Sequence, residues 1–98
     1  KHKGTRAERE IQALLRVAGL EARRVPLSGA APGFPGDLLV RLPGLGEVVA
    51  EVKARKRFGL EGWLEGRKLL LLRPDRRPPL VVLRLEDFLK VLEQGEER

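Results

Sequence analysis

The chain has 98 residues and a formal net charge of +6 at pH 7, so we expect a single domain over residues 1–98 and a polyanionic partner such as nucleic acid. It contains no cysteine and one histidine, which excludes disulfides, thiolate catalysis and cysteine- or histidine-based zinc sites. Any metal site must therefore use oxygen ligands.

No apolar stretch approaches the ~20 residues of a membrane-spanning helix, and nothing resembles a signal peptide. We therefore expect a cytoplasmic, DNA-associated protein that does not bind membranes. Aromatic residues make up only 4% of the chain, which argues against a stacking platform for single strands and favours recognition of backbone and shape. The absence of asparagine and methionine fits a thermophilic source, although GC-rich coding produces the same bias.

The first predicted element is a helix over residues 5–18, followed by Gly19 as its C-terminal stop. Thr5 and Glu8 have the spacing of a capping box, in which the Glu8 carboxylate reaches back to the Thr5 amide. Glu8 also borders the apolar stripe of the helix, so the alternative is that it faces inward toward a site on the sheet. The apolar stripe consists of Ala7, Ile11, Leu14, Leu15 and Ala18.

Three strands are predicted next, at residues 20–25, 37–42 and 47–54. A surface loop rich in Ser, Gly, Ala and Pro separates the first two, and a Pro-Gly turn joins the second and third into a hairpin. The remaining predicted elements are a short helix over 60–66, two buried strands over 68–73 and 80–85, and a terminal helix that begins at Glu86 and Asp87, with Leu85, Phe88, Leu89 and Leu92 as its apolar positions.

Asp37 opens one strand, and Glu51 and Lys53 alternate with apolar residues in the next. Carboxylates bind Mg²⁺ through oxygen, and an ammonium beside them offsets charge that develops on a phosphate during hydrolysis. This pattern is typical of metal-dependent phosphodiesterases. The same alternation also occurs in any half-exposed strand with a Glu-Lys pair, so the residues alone leave both interpretations open.

Four ordered blocks, residues 3–10, 24–29, 36–37 and 51–53, resemble the archaeal and phage Holliday junction resolvases of the PD-(D/E)XK nuclease superfamily. One departure is Gly36, which stands where the superfamily pattern has proline. The resemblance implies an α/β restriction-endonuclease-like fold with a central mixed β-sheet flanked by helices. It also implies a Mg²⁺- or Mn²⁺-dependent endonuclease that makes paired symmetric nicks in four-way DNA junctions, without a small-molecule cofactor. Since the family includes phage members, a phage gene in a thermophilic host is consistent with it.

The resemblance also assigns roles to individual residues. The metal ligands would be Glu8, Asp37, Glu51 and the Val52 carbonyl. Lys53 would position the hydrolytic water, and Ser28 would be needed for cleavage. Without the family, Ser28 is as readily an ordinary loop hydroxyl, and Arg24 is an ordinary solvated strand residue. The predicted DNA contacts are Lys3, Arg6, Arg24, Arg55, Lys56 and Arg57.

Two symmetric nicks require two active sites, so we expect a two-fold homodimer. The candidate interface consists of Phe58, Leu60, Trp63 and Leu64, for which core packing is the alternative. Two other functions remain open. One is a PD-(D/E)XK nuclease with a restriction or repair role, and the other is a noncatalytic, basic nucleic-acid-binding protein.

Overall fold

The structure is a computed structural model that describes residues 2–25 and 37–96. The chain divides into two compact units, Lys1–Ala54 and Arg55–Arg98; the prediction of a single domain stays a prediction. Within the described ranges, no helix has the length and apolarity needed to cross a membrane. The elements are α1 (His2–Val17), β1 (Ala22–Arg24), β2 (Leu38–Leu42), β3 (Gly46–Ala50), α2 (Glu61–Leu64), β4 (Leu70–Leu72), β5 (Leu80–Val82) and α3 (Leu85–Glu96).

Helix α1 begins at His2, three residues earlier than its sequence pattern predicts. Thr5 therefore lies inside the helix and is not its N-cap, so the capping-box interpretation is wrong. The predicted stop at Gly19 is confirmed. Gly19 has φ +94°, its amide donates to the Arg16 carbonyl at 2.9 Å, and the Leu20 amide donates to the Leu15 carbonyl at 3.0 Å. These two bonds form a Schellman motif, which needs a left-handed residue at this position.

The first unit contains a three-stranded antiparallel sheet in the order β1-β2-β3. The central strand β2 places three consecutive residues, 38–40, in the core, and Leu38 is fully buried. Since successive side chains on a strand face opposite sides, β2 is covered on both faces. Among the residues of this unit that the structure describes, Leu15, Ala22 and Val25 are also buried.

Strand β3 ends at Ala50, so Glu51, Val52 and Lys53 follow the strand, whereas the sequence predicts a strand through residue 54. The reason is the length of the partner, because Ala50 pairs with Leu38, the first residue of β2. Exposure nevertheless continues to alternate through residue 55, with Glu51 and Lys53 exposed and Val52 half-buried. The predicted face assignment of these residues therefore holds beyond the end of the ladder.

The second unit has a two-stranded antiparallel hairpin, β4-β5, which belongs to a separate sheet. The sequence predicts two buried strands, and this is wrong: Leu71 and Val81 are 72% and 57% exposed. They are directly paired and share one face, while Leu70, Leu72 and Val82 are half-buried. An uninterrupted leucine run has no alternation that would reveal which face is covered.

The predicted central mixed sheet is likewise not what the described residues form. All strand pairs in residues 2–25 and 37–96 are antiparallel, and they fall into two sheets. For two of the pairs the connection explains the direction: the β2-β3 and β4-β5 links are too short for a parallel crossover, which needs a dozen or more residues. The coarser prediction of an α/β protein is confirmed.

Candidate active site

One end of the three-stranded sheet holds Asp37 and the segment that carries Glu51 and Lys53. Because β2 runs antiparallel to both neighbours, the end of β1, the start of β2 and the end of β3 meet at the same edge. We call this region the acidic sheet end and define it as Glu8, Arg24, Asp37 and residues 51–53. Two of its members lie directly beside the ladder, Arg24 opposite Leu38 and Asp37 just before it.

Asp37 joins all three strands of the acidic sheet end. Its amide donates to the Ala50 carbonyl at 2.8 Å, and its carbonyl accepts from the Val25 amide at 3.1 Å. Its carboxylate oxygen Oδ2 accepts from the Val52 amide at 2.8 Å. The ladder between β2 and β3 ends at the Leu38–Ala50 pair, and the Asp37 side chain then accepts the hydrogen bond of the next amide, that of Val52. This bond holds the segment that carries Glu51 and Lys53 against the start of β2.

Glu8 enters the acidic sheet end from α1 through an ion pair with Arg24. Its Oε1 lies 3.1 Å from both Nε and Nη2 of Arg24, and the side chains are 11% and 31% exposed, respectively. The structure therefore favours the inward-facing alternative for Glu8. It also shows that Arg24 is not simply a solvated strand residue. Such a charge-assisted pair restricts the rotamers of both groups.

Glu51 and Lys53 lie on the same side of the segment that follows β3, as the alternation predicts. The Lys53 ammonium Nζ is 3.3 Å from Glu51 Oε2, and both side chains are substantially exposed. Exposed pairs of this type contribute little to stability. The pair matters for its position, because it places an acid and an ammonium on either side of Val52. The Val52 amide in turn donates to the Asp37 carboxylate.

The three predicted acidic ligands are not gathered into one cluster. In residues 2–25 and 37–96, no group of three or more His, Cys, Asp or Glu side chains is placed to hold a metal ion. Glu8 faces a guanidinium and Glu51 an ammonium. By donor type, the Asp37 carboxylate, the Glu51 carboxylate and the Val52 carbonyl fit a hard cation such as Mg²⁺, since all three supply oxygen.

One positioning contact between α1 and β1 was not predicted from the sequence. Gln12 Nε2 and Arg16 Nε both donate to the Ala22 carbonyl, at 3.0 and 2.9 Å. They fix the outer edge of β1 to α1 and so set the position of Arg24, two residues later. The i, i+4 spacing of two long polar donors beside the apolar stripe is the sequence signal that indicates this contact.

Comparison with known proteins identifies the family. A model of the archaeal Holliday junction resolvase (Hjc) family matches residues 1–61, which is more than half of the chain and includes the whole acidic sheet end. The chain belongs to the archaeal Holliday junction resolvase family. The resemblance seen in the sequence is thereby confirmed. No curated protein and no solved structure matches the chain significantly.

The archaeal Holliday junction resolvases are nucleases of PD-(D/E)XK-like fold that act on junction DNA. Several residues that the sequence assigns to such a function are not among the members of the acidic sheet end. Ser28 lies outside the described residues, and so does the side chain of Lys3. Arg6 is exposed on α1. The basic run Arg55, Lys56 and Arg57 is exposed and belongs to the second unit.

The candidate interface residues separate into two groups. Leu64 is buried within the chain and Leu60 is half-buried, so core packing accounts for Leu64. Phe58 and Trp63 are 47% and 59% exposed. The guanidinium carbon of Arg55 lies 5.7 Å from the centre of the Phe58 ring, a cation-π distance. Phe58 and Trp63 thus keep the apolar surface that an interface needs.

Proposed function

We propose that the protein is a metal-dependent, structure-selective DNA endonuclease that resolves Holliday junctions by paired symmetric nicks. The observation that carries this proposal is the match of the archaeal Holliday junction resolvase family to residues 1–61. The acidic sheet end lies wholly within that segment. Its oxygen donors and its lysine have the chemistry that phosphodiester hydrolysis requires.

Asp37, Glu51 and the Val52 carbonyl would hold Mg²⁺ or Mn²⁺, with Glu8 as the further acidic ligand that the family resemblance implies. When bound, the cation polarises the scissile phosphate and lowers the pKa of a bound water. Asp37 fixes the 51–53 segment through its bond to the Val52 amide. Arg24 orients Glu8. Lys53 would donate a hydrogen bond to the hydrolytic water, and its positive charge would offset the negative charge that develops on the phosphate.

DNA recognition in this proposal depends on phosphates. The proposed contacts are Lys3, Arg6, Arg24 and the basic run 55–57, none of which belongs to a base-reading helix rich in Asn, Gln and Arg. Affinity should therefore be nearly independent of sequence and should fall steeply with salt, with a logarithmic slope of about −0.9 for each neutralised phosphate on duplex arms. A four-way junction differs from linear DNA in the path of its phosphates, which suits such a surface.

The test is incubation with a synthetic four-way junction and with a linear duplex of the same sequences, each with and without Mg²⁺. The proposal expects metal-dependent cuts at symmetric positions in the junction and little cleavage of the duplex. Junction binding without metal-dependent cleavage would instead identify a noncatalytic binder. Equal cleavage of both DNAs would identify a PD-(D/E)XK nuclease with a restriction or repair role.

A further inference from the structure

The turn between β4 and β5 carries a second group of cations that the proposed function does not use. We call residues 73–77 the arginine turn. Its three arginines, Arg73, Arg76 and Arg77, are all exposed. With Asp75 as its one acidic residue, the turn has a net charge of +2 in five residues.

None of the three arginines has an ion-pair partner among the residues that the structure describes, and Asp75 is not paired with any of them. Some arginines elsewhere are held by the protein itself. Arg24 pairs with Glu8 and Arg23 with Glu47, while Arg84 donates to the carbonyls of Leu64 and Arg67. The guanidinium groups of the arginine turn are thus exposed and carry no ion pair within the described residues.

The backbone of the arginine turn restricts how these side chains are presented. Arg76 has φ +63° and is the only described non-glycine residue with a positive φ. This conformation costs an arginine free energy that glycine would avoid, and such outliers in a backbone point to function. Arg73 and Arg77 each precede a proline, which restricts their backbone to extended conformations.

We propose that the arginine turn is a phosphate-binding element that contacts a duplex arm of the DNA. This inference rests on the proposed function for the identity of the ligand. Guanidinium groups form bidentate hydrogen bonds with phosphate oxygens. A stiff turn loses less conformational entropy on binding than a flexible one. The turn lies outside residues 1–61, so the family match does not account for it.

The test compares the double variant Arg76→Ala/Arg77→Ala with a control that removes the same charge, Arg41→Ala/Lys90→Ala. Lys90 is exposed on α3, and Arg41 is exposed and pairs with Glu21 at 3.6 Å. Binding of a labelled four-way junction and of a linear duplex is measured by fluorescence anisotropy in EDTA, over a series of salt concentrations.

We expect the turn variant to bind both DNAs roughly tenfold more weakly and to flatten the logarithmic salt slope by about 0.9 for each arginine removed. The control should change affinity less than about twofold, because salt largely screens charges that do not contact the DNA. A second variant, Arg76→Gly/Arg77→Gln, removes the same charges while relieving the positive φ. It should weaken binding equally and show an unchanged or higher thermal transition.

Unchanged affinity and slope in both turn variants, with folding verified by circular dichroism, would overturn the proposal. An equal loss in the control would do the same, since net charge would then explain the effect. The two proposals can fail independently. If the parent protein binds DNA but never cleaves a junction in Mg²⁺, the proposed function fails, while a loss of slope in the turn variants still supports the phosphate contact.

Discussion

At the scale of single residues, Asp37 combines a structural and a chemical role. Its carboxylate accepts the Val52 amide at 2.8 Å and is also a proposed metal ligand. An amide oxygen can replace the first role but not the second, because a neutral amide binds a hard cation weakly and still accepts a hydrogen bond. Substitutions by asparagine and by alanine therefore separate the two roles.

Asp37→Asn should abolish junction cleavage in Mg²⁺ and leave junction binding intact or stronger, because removing the acid lowers repulsion of phosphates. Its thermal transition should stay near that of the parent. Asp37→Ala should also lose about 1 kcal/mol of unfolding free energy with the hydrogen bond to Val52. Glu51→Gln, which breaks only an exposed ion pair, should lose cleavage without loss of stability. Cleavage by either amide variant at the parent's rate would show that the metal assignment is wrong.

Arg24→Gln tests the ion pair that orients Glu8. Glu8 is nearly buried and would lose its charged partner, so we expect a loss of about 1–3 kcal/mol in urea unfolding, less than for a fully buried pair because Arg24 is partly exposed. Arg23→Gln is the matched control on the adjacent residue. Its 3.6 Å pair with Glu47 is exposed, so its loss should stay below about 1 kcal/mol. Equal losses would mean that burial of Glu8 does not depend on Arg24.

At the scale of elements, the end of α1 depends on backbone conformation rather than packing. Gly19 has φ +94°, and a Cβ built there meets no atom within 4 Å. Gly19→Ala should therefore destabilise the protein by about 1 kcal/mol through conformation alone. Gly62 also has open space around its Cβ position but no positive φ, so Gly62→Ala within α2 should be neutral or stabilising by about 0.5 kcal/mol. Thermal denaturation of the two variants checks both signs, and a stable Gly19→Ala variant would contradict the Schellman assignment.

The start of α2 contains a carboxylate that should respond to pH. Glu61 accepts from the amides of Phe58 and Gly59 at 2.9 and 3.0 Å. The Phe58 amide is the largest cause that lowers the pKa of Glu61 below its ordinary value of 4.5; the amides of Glu61 and Gly59 and the charge of Arg57 add to the effect. Because the folded-state pKa is the lower one, the stabilisation is present above the unfolded-state pKa and is lost as pH falls through the folded-state pKa.

We therefore expect the amide NMR signals of Phe58 and Gly59 to shift together in an acid titration, with a midpoint below 4.5. In Glu61→Gln this shared transition should disappear, since an amide does not titrate. A midpoint at or above the ordinary value in the parent protein would show that the two hydrogen bonds do not hold the carboxylate in solution.

At the scale of the whole molecule, paired cleavage requires two copies of the active site, and the proposed interface rests on exposed apolar side chains. Phe58→Ala/Trp63→Ala should shift the protein from dimer to monomer in light scattering and convert paired nicks into single, uncoupled ones. Leu45→Ala is the control, because Leu45 is also exposed but lies in the β2-β3 turn. A double variant that remains dimeric would move the interface elsewhere.

The local pattern of the sequence determined much of this protein. The Gly19 stop, the β2-β3 hairpin and the alternation of Glu51 and Lys53 all follow from residue types at short spacing, and the structure contains each of them. The predicted apolar stripe of α1 is only partly covered, because Leu15 is buried while Leu14 and Ala18 are exposed. These features depend on the conformational preferences of a few neighbouring residues. The ordered blocks in residues 3–53 likewise sufficed to indicate the family that the comparison confirms.

Only the tertiary structure decided where elements stop and which charges meet. Strand β3 ends where β2 has no further residue to pair with it, and Asp37 then captures Val52. Glu8 does not cap α1, as one interpretation of the sequence predicted, but is a buried partner of Arg24, sixteen residues away. A run of leucines likewise does not predict which face of β4-β5 is exposed. In each case the physical reason is the same: partners distant in the sequence determine burial and pairing, and local spacing carries no record of them.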